Sequence, residues 1–445
     1  MKRDFTIKLY LFTLSIIIVS ATFGQQKNEF TVKQAVAYGL KNAPAVKNAL
    51  IDIQIQKQTN REITASAYPQ VSTSGNYQDF INIPVSLLPG EIFGGAPGSR
   101  IPVQFGIKHN VTGSVDASQL LFDGQVFVGL QARTAAMQLA TKTAEVTEEQ
   151  IKANIYKIYY QLAVGIKQAT SIDATIERFE KLLKDTKEIY KQGFAEKLDV
   201  DKVEVQLNNI KVEKIKIDNQ LEAGNAGLKF LLNMPQKDIL ILTDTVSEAS
   251  LKDNIIDNKY DYNDRKEIQL LTIAGKLGEY NIKRYKLSKL PTVAAFGSYQ
   301  KNAQRNQFDF FGKGPWFTTS LVGLRVSAPL FDGFARKSKI EKAKLELQKN
   351  NNTIAQLKEN IDFDVNSANI KIKNAILTID NQKQNLELAQ KVFATTKKKY
   401  EAGLGSNQEI YSAQTEYKIA ETNYYSAMYD AVIAKIEFLK AVGKL

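Results

Sequence analysis

The amino-acid sequence predicts a mixed α and β fold that consists predominantly of long α-helical hairpins. Three observations predict it: an internal duplication, stretches in which polar and apolar residues alternate, and long proline-free stretches with heptad spacing. The duplication is first seen in the tetrapeptide LFDG, which occurs at residues 121–124 and again at 330–333. Each copy stands where an alternating stretch gives way to a helical one. One structural unit is therefore built twice.

The duplication extends beyond this tetrapeptide. Upstream, "YPQVSTSGNY" (68–77) matches "LPTVAAFGSY" (290–299), and downstream "YKQGFAEKLDV" (190–200) matches "YEAGLGSNQEI" (400–410). The copies are too long for an ordinary solenoid repeat. The predicted organisation is a signal peptide at residues 1–24, a first repeat at 25–240, a linker at 241–262 and a second repeat at 263–445.

The N-terminus predicts export. Basic residues precede an apolar run from Leu9 to Val19, and small residues follow, as in a secretory signal peptide. We expect cleavage after Gly24, with Ala21 as the alternative. The chain has no Cys, which excludes a disulfide framework. Beyond the signal no run of eighteen apolar residues occurs, so no transmembrane helix is predicted.

The formal net charge is +12, and the basic residues are spread along the chain without a dominant cluster. A solvated basic surface explains this distribution, and attraction to an acidic partner or to anionic lipid is the alternative. No nucleic-acid partner is predicted.

The alternating stretches predict four β-strands in two hairpins. From Lys108 onward, apolar or small residues at every second position oppose polar ones, and the same pattern runs from Trp316 to Ala328. Residues 69–80 and 291–301 alternate less strictly, but each follows a Pro, where a strand can begin. The interval 81–106 is predicted to be a surface loop.

These strands suit a membrane barrel. Arg325 points away from the apolar side of its strand, as expected of a water-filled lumen behind a lipid-facing wall. Four aromatic residues are predicted near strand ends, where an interfacial girdle would lie. They are Tyr299, Phe122, Phe331 and Trp316. A soluble sandwich or two-hairpin sheet remains the alternative.

Heptad spacing predicts two very long helices. Between the first LFDG and Gly193, apolar residues recur at steps of four and three, a pattern typical of supercoiled helices. At about 1.5 Å per residue, such a helix would be roughly 100 Å long. The second repeat shows the same spacing, with a stutter at Leu357, Ile361 and Val365. Each long helix is predicted to turn at a Gly-containing loop and return over residues 199–233 or 407–442.

The duplicated tetrapeptide is predicted to join strand to helix. Its Leu and Phe would end a strand near the membrane interface, its Asp would cap the following helix, and its Gly would allow the tight bend. The junction residues are Leu121, Phe122, Asp123, Gly124, Leu330, Phe331, Asp332 and Gly333.

Together these features resemble the TolC family of outer-membrane efflux proteins over essentially the whole exported chain. "FTVKQAVAYGLKNAPAV" (30–46) is similar to the family's opening helix, with Thr31 and Gln34 forming a capping box. The resemblance implies a trimer whose twelve strands, four per chain, form one outer-membrane barrel continued by a twelve-helix periplasmic coiled-coil tunnel. Residues 241–262 would be its equatorial linker. The requirement for assembly also follows from the strand count, because four strands cannot close a barrel.

The function implied is that of a passive conduit in tripartite efflux or type I secretion. Its implied partners are a homotrimer, a periplasmic adaptor, an inner-membrane pump and outer-membrane lipid. No GxxxxGK[ST] phosphate loop is present, so a partner must supply the energy. The alternative is a secreted or surface coiled-coil scaffold protein, which would use the same heptads.

The resemblance also implies two sites. The adaptor-docking tip would be formed by Gly193, Phe194, Gly403, Leu404 and Gly405. The gate would contain Tyr400, Asp199 and Glu409. The family's gate Arg is replaced here by Gly405, and a second Asp by Ser412. The alternatives are that the Gly residues only satisfy left-handed helix ends, and that the two acids only stabilise helix N-termini.

No catalytic chemistry is predicted. The single His109 lies on a predicted strand, without a Cys or a second His to share a metal. The Gly-rich segment at 90–100 lacks the strand and helix context of a phosphate loop. Asp362 and Asp364 are two residues apart on a helix and point to different faces. We therefore expect no enzyme activity, no metal and no cofactor.

Overall fold

The computed structural model describes residues 27–245, 260–402 and 404–445. The predicted signal peptide, most of the predicted linker and Gly403 lie outside these residues. The described helices are α1 (Val32–Asn42), α2 (Pro44–Ala65), α3 (Gly124–Lys191), α4 (Lys197–Leu232), α5 (Lys266–Leu287), α6 (Ala335–Glu401) and α7 (Asn407–Ala441). The described strands are β1 (Lys27–Phe30), β2 (Gln70–Asp79), β3 (Val85–Pro89), β4 (Arg100–Gln104), β5 (His109–Phe122), β6 (Ile239–Leu242), β7 (Thr292–Arg305) and β8 (Phe317–Ser327). None of the described helices is both long and apolar enough to cross a membrane.

Helix α1 begins as predicted. The backbone N–H of Gln34 donates to the Thr31 hydroxyl, and the side chain of Gln34 accepts from the Thr31 backbone at 2.8 Å. The reciprocal bonds satisfy two N–H groups that the helix itself cannot pair. Pro44 opens α2, where its missing N–H has no cost.

A four-stranded antiparallel sheet confirms the predicted strands. Its order is β2-β5-β7-β8, so that the two hairpins lie side by side, joined through β5 and β7. Pro69 and Pro291 stand directly before β2 and β7, as expected. A second, two-stranded parallel sheet pairs β1 with β6.

Three expectations about the strands need correction. The interval 81–106 is not a plain loop, because β3 and β4 form a hairpin within it. Tyr299 is not near a strand end, since β7 continues to Arg305. Phe331 lies four residues beyond the end of β8. Sequence alternation fades before β7 ends, which hid the extra length of this strand.

The described chain forms two compact units that both contain segments of each predicted repeat. The first takes its described residues from Met1–Ile51, Lys142–Gln269 and Gln356–Leu445, and the second consists of Asp52–Thr141 and Leu270–Ala355. Because the units cut across the duplication, the repeat boundaries themselves remain a prediction.

The first unit is a set of packed helices with the predicted heptads at its centre. Ile155 of α3 is fully buried against Leu228 and Leu232 of α4, and farther along α3, Phe179 packs with Val203 and other apolar residues of α4. Burying each such side chain contributes about 1.5–3 kcal/mol relative to leaving it exposed. The α3–α4 hairpin is therefore held together by its apolar seam.

Two glycines let α3 and α4 approach closely. A Cβ added at Gly165 would lie 2.9 Å from Cδ2 of Leu221, and one added at Gly224 would lie 2.8 Å from Cδ2 of Leu162. Each leucine therefore occupies the space that the opposite helix leaves empty.

The second hairpin, α6 and α7, packs against α3 in the same unit. Ala163 and Val164 of α3 share a buried cluster with Ile379 of α6 and with Met428 and Val432 of α7. At the predicted stutter, Ile361 and Val365 of α6 are both buried. The stutter therefore keeps the apolar side of α6 turned inward.

Candidate functional site

The sheet has one apolar face that is exposed along much of its length. Val71, Val115 and Val322 lie on this face, because residues opposite one another in an antiparallel register share a face. The exposed fraction reaches 89% at Val322. Exposed apolar strand residues on this scale mark a surface that meets lipid or another protein.

The opposite face is polar and hydrogen-bonded within itself. The hydroxyls of Ser74 and Ser114 lie 2.8 Å apart, and Ser114 donates to a carboxylate oxygen of Asp116 at 2.7 Å. Arg325 is on this side too, as predicted, with its guanidinium 5.1 Å from the centroid of the Phe296 ring. Such a face suits contact with water.

At the first predicted junction, one residue separates the end of β5 from the start of α3. Phe122 ends β5, and Asp123 accepts from the backbone N–H groups of Gln125 and Val126 at 2.7 and 3.3 Å. Asp123 therefore caps α3. Gly124 does not provide a left-handed bend. A Cβ there would lie 2.9 Å from the carbonyl oxygen of Leu287, so the glycine allows a close approach of two chain segments.

The second junction differs from the first. Strand β8 ends at Ser327, so Leu330 and Phe331 lie beyond it rather than at its end. Gly333 has φ +61° and Phe334 has φ +67°, which delays the start of α6 to Ala335. Asp332 still accepts from the backbone N–H of Arg336 at 3.2 Å.

The two predicted tip loops end their long helices in the same way. The N–H of Phe194 donates to the carbonyl of Ile189 at 3.1 Å, and the N–H of Leu404 donates to that of Lys399 at 2.9 Å. Both bonds span five residues, as in a Schellman helix end, and Gly193 has the left-handed φ of +81° that this end requires. The following side chains, Phe194 and Leu404, are strongly exposed.

The structure places Asp199 and Glu409 in the first turns of the returning helices. The backbone N–H of Glu196 donates to Asp199 at 3.3 Å, so Asp199 helps to cap α4. The backbone N–H of Glu409 donates to the Ser406 hydroxyl at 3.2 Å, and its carboxylate lies 3.5 Å from Lys399 Nζ. The capping contacts are observed, and the gate role remains a prediction.

Tyr400 lines a cavity of about 540 Å³ between α3, α6 and α7. Its hydroxyl lies 3.5 Å from that of Thr186, a fully buried residue of α3. Arg178 and Gln414 also line this cavity. The sequence analysis did not identify Gln414 as a candidate site residue. The available signal was its position four residues after Ile410, which places both side chains on the same side of α7.

The described residues contain no cluster of His, Cys, Asp or Glu that could hold a metal ion. His109 begins β5, and its Nδ1 lies 3.0 Å from the Tyr77 hydroxyl and 3.4 Å from Asp79. Asp362 accepts hydrogen bonds from Tyr260 and Tyr262. The side chains of His109 and Asp362 thus each have polar partners within the described chain.

Comparison with known proteins agrees with this geometry. The outer membrane efflux protein family matches residues 266–444. The outer membrane protein TolC of Vibrio cholerae is 17% identical over 337 residues, which cover 75% of this chain and 77% of that protein. The proteases secretion protein PrtF of Dickeya chrysanthemi is 18% identical over 351 residues, covering 75% and 71%.

A solved structure supports the fold over nearly the whole chain. The crystal structure of the Campylobacter jejuni CmeC outer membrane channel aligns with a TM-score of 0.74 at 14% identity, covering 93% of this chain and 85% of that one. At this identity the likeness concerns the arrangement of helices and strands.

Proposed function

Since the chain belongs to the TolC family of outer membrane efflux proteins, we propose that it is the outer-membrane channel of a tripartite efflux or type I secretion system. It acts as a passive conduit in the outer membrane that extends into the periplasm. It has no catalytic role, requires no cofactor and uses no metal.

The four-stranded sheet carries this proposal. Its two faces differ as the two sides of a membrane barrel must, since the outside meets lipid and the inside meets water. The exposed residues Val322, Leu324 and Val326 lie on one side of β8, and Arg325 lies on the other. A soluble sheet would bury its apolar face against other parts of the protein.

The strand edges support assembly into a trimer. Strands β2 and β8 stand at the two ends of the sheet order in the described chain, and neither has a second partner there. In lipid an unpaired backbone edge is too costly to persist, so the edges of three chains must pair with one another. The result is a twelve-stranded barrel, continued by twelve long helices.

The helical hairpins supply the periplasmic part. Helices α3 and α6 have 68 and 67 residues, and each is followed by a tip loop with an exposed apolar side chain. These tips are where a periplasmic adaptor docks and links the channel to an inner-membrane pump. The pump supplies the energy, and the channel supplies the route.

The proposal is tested by reconstitution. The purified protein should run as a trimer in detergent by light scattering, fractionate with the outer membrane and give discrete conductance steps in planar bilayers. A protein found only in soluble fractions, with no conductance, would show that the chain is a coiled-coil scaffold instead.

A further inference from the structure

The second unit contains a cavity of about 430 Å³ that the channel function does not use. It lies between the C-terminal part of α2, the first turns of α3 and the C-terminal part of α5. Its lining residues include Asn60, Gly129, Ala132, Arg133, Ala136 and Arg284. All of them belong to the same compact unit.

The charge of this cavity is entirely positive. Arg133 and Arg284 line it, and no Asp or Glu does. Neither arginine forms an ion pair with a carboxylate in the part of the chain that the structure describes. Arginines normally recruit carboxylates or phosphates, so two unpaired guanidiniums at one cavity point to an anionic ligand.

Neighbouring groups hold Arg133 in place. Its Nε donates to the carbonyl of Leu130 at 3.0 Å, and its Nη1 donates to the Thr64 hydroxyl at 2.5 Å. The Asn60 amide in turn donates to the carbonyl of Arg133 at 3.1 Å. These contacts use only part of the guanidinium's five N–H groups, so further donors remain for a ligand.

The aromatic side chain of Tyr285 positions Arg284. Its guanidinium carbon lies 5.0 Å from the centroid of Tyr285, and Nη2 lies 3.3 Å from the Tyr285 hydroxyl. Small residues then leave room between the helices, since Gly129, Ala132 and Ala136 all lie on the cavity side of α3. The cavity thus combines space with preorganised donors.

The positions of the two arginines along the chain indicate which kind of anionic ligand the cavity binds. Thr64, which binds Arg133, is the residue before the end of α2, and Arg284 lies one turn before the end of α5. Both helices lead within a few residues into strands of the sheet, β2 and β7. If these strands cross the membrane, the two guanidiniums lie at the depth of lipid headgroups.

We propose that this pocket binds the phosphate of an anionic phospholipid headgroup from the periplasmic leaflet of the outer membrane. The proposal rests on the channel function proposed above, because that function places β2 and β7 in the bilayer. Bidentate hydrogen bonds from the guanidiniums recognise the phosphate oxygens, and the acyl chains remain in the bilayer. The bound lipid anchors the helices at the point where they leave the membrane.

Native mass spectrometry of the full-length trimer in detergent tests this proposal. Dioleoyl phosphatidylglycerol, dioleoyl phosphatidylcholine and inorganic phosphate are titrated separately, and phosphate is also added in competition with phosphatidylglycerol. We expect phosphatidylglycerol to bind roughly tenfold more tightly than phosphatidylcholine, because the choline ammonium of phosphatidylcholine neutralises its phosphate and is repelled by the two guanidiniums, whereas phosphatidylglycerol keeps a net negative charge. Inorganic phosphate at the same concentration should not displace it.

The variant Arg133→Gln with Arg284→Gln should bind phosphatidylglycerol no better than phosphatidylcholine. The matched control is Lys283→Gln with Lys286→Gln, which removes the same charge from exposed positions of α5 that do not line the cavity. This control should keep the wild-type preference. If the double arginine variant fails to assemble, Arg284→Gln alone should still weaken phosphatidylglycerol binding roughly threefold, since this guanidinium's described contacts are to Tyr285 only.

Three results would overturn the proposal. One is equal binding of the two lipids by the wild-type trimer. Another is equal loss in both double variants, which would indicate general surface charge. The third is displacement by inorganic phosphate, which would indicate a free-anion site. Conductance is measured on the same preparation, so conducting trimers without a lipid preference would contradict the pocket alone and leave the channel function intact.

Discussion

At the scale of single residues, the tip of the helical hairpins contains helix-capping contacts at residues that are also predicted to form the gate. Asp199 and Glu409 stand 210 positions apart in the duplicated sequence and occupy equivalent first-turn positions of α4 and α7. A carboxylate in the first turn stabilises a helix through its dipole. In a trimer the same two residues would also form rings of three carboxylates each around the axis.

Neutralising both residues separates these roles. We expect Asp199→Asn with Glu409→Gln to lower the cation preference of single channels, because rings of carboxylates favour cations. Reversal potentials in a salt gradient measure this preference, and low ionic strength should enlarge the difference. The control is Glu222→Gln, which neutralises an exposed acid of α4 more than twenty positions beyond Asp199. Unchanged selectivity in intact double-variant trimers would assign both carboxylates to helix ends.

At the scale of helices, Glu437 joins three elements of the first unit. Its carboxylate on α7 accepts from Lys157 of α3 at 3.2 Å and from Lys371 of α6 at 3.1 Å. Burial acts to raise the pKa of Glu437, but the hydrogen bonds from Lys371 and Lys157 outweigh it and hold the pKa below the ordinary 4.5. A lowered pKa means that the folded protein favours the ionised form. The stabilisation is therefore present above pH 4.5 and is lost as the pH falls through the lowered pKa.

The variant Glu437→Gln should accordingly be less stable than wild type at pH 7, by no more than about 1 kcal/mol because water screens the partly exposed pair. The difference should disappear as the pH is lowered below the depressed pKa. Thermal unfolding followed by circular dichroism from pH 3 to pH 8 measures it. A constant difference across this range would mean that the loss comes from packing and not from the ion pairs.

Glu149 offers a control because its pKa is shifted in the opposite direction to that of Glu437. Burial and the neighbouring charge of Glu267 raise its pKa above 4.5, against the effects of Arg265 and Lys440. The folded protein therefore favours the protonated form of Glu149. Its stability falls as the pH rises from the ordinary pKa of 4.5 through the raised pKa. Glu149→Gln should remove that loss, so that it gains stability over wild type at pH 7 and not at pH 4.

At the scale of the whole molecule, the duplication creates a pair of matched apolar tips. Phe194 and Leu404 are 210 positions apart, each follows a glycine, and their exposed fractions are 83% and 78%. Isolated exposed apolar side chains are common, and the equivalent positions of these two in a duplicated loop are what led us to propose them as one docking surface. This agrees with docking of a periplasmic adaptor.

We expect Leu404→Asp to abolish export while leaving the amount of trimer in the outer membrane unchanged. A charge at this exposed position would disturb the docking surface without entering a folded core. Resistance or secretion assays, with immunoblots of membrane fractions, measure the two quantities. The control is Phe230→Asp, another exposed apolar residue on α4, which should export normally. Export by Leu404→Asp at normal abundance would place the docking surface elsewhere.

Much of this fold follows from local patterns in the sequence. Strand alternation, heptad spacing and the Thr31 capping box depend on residues a few positions apart, so they predicted the four strands of the main sheet, the long helices and the start of α1. The same local signals failed where their pattern was interrupted. The hairpin of β3 and β4 was missed, and the second junction was expected to match the first, although consecutive left-handed residues at Gly333 and Phe334 set it apart.

The sequence by itself determined the four strands of the main sheet, the long helices and the family that the chain resembles, because periodicity and duplication can be read from residues along the chain. Only the tertiary structure brought Glu437 to Lys157 and Lys371, and the guanidinium of Arg133 to Thr64. Those partners are 280, 66 and 69 positions apart. Contacts over such distances depend on how helices pack and rotate against one another, and no local spacing of residues carries that information.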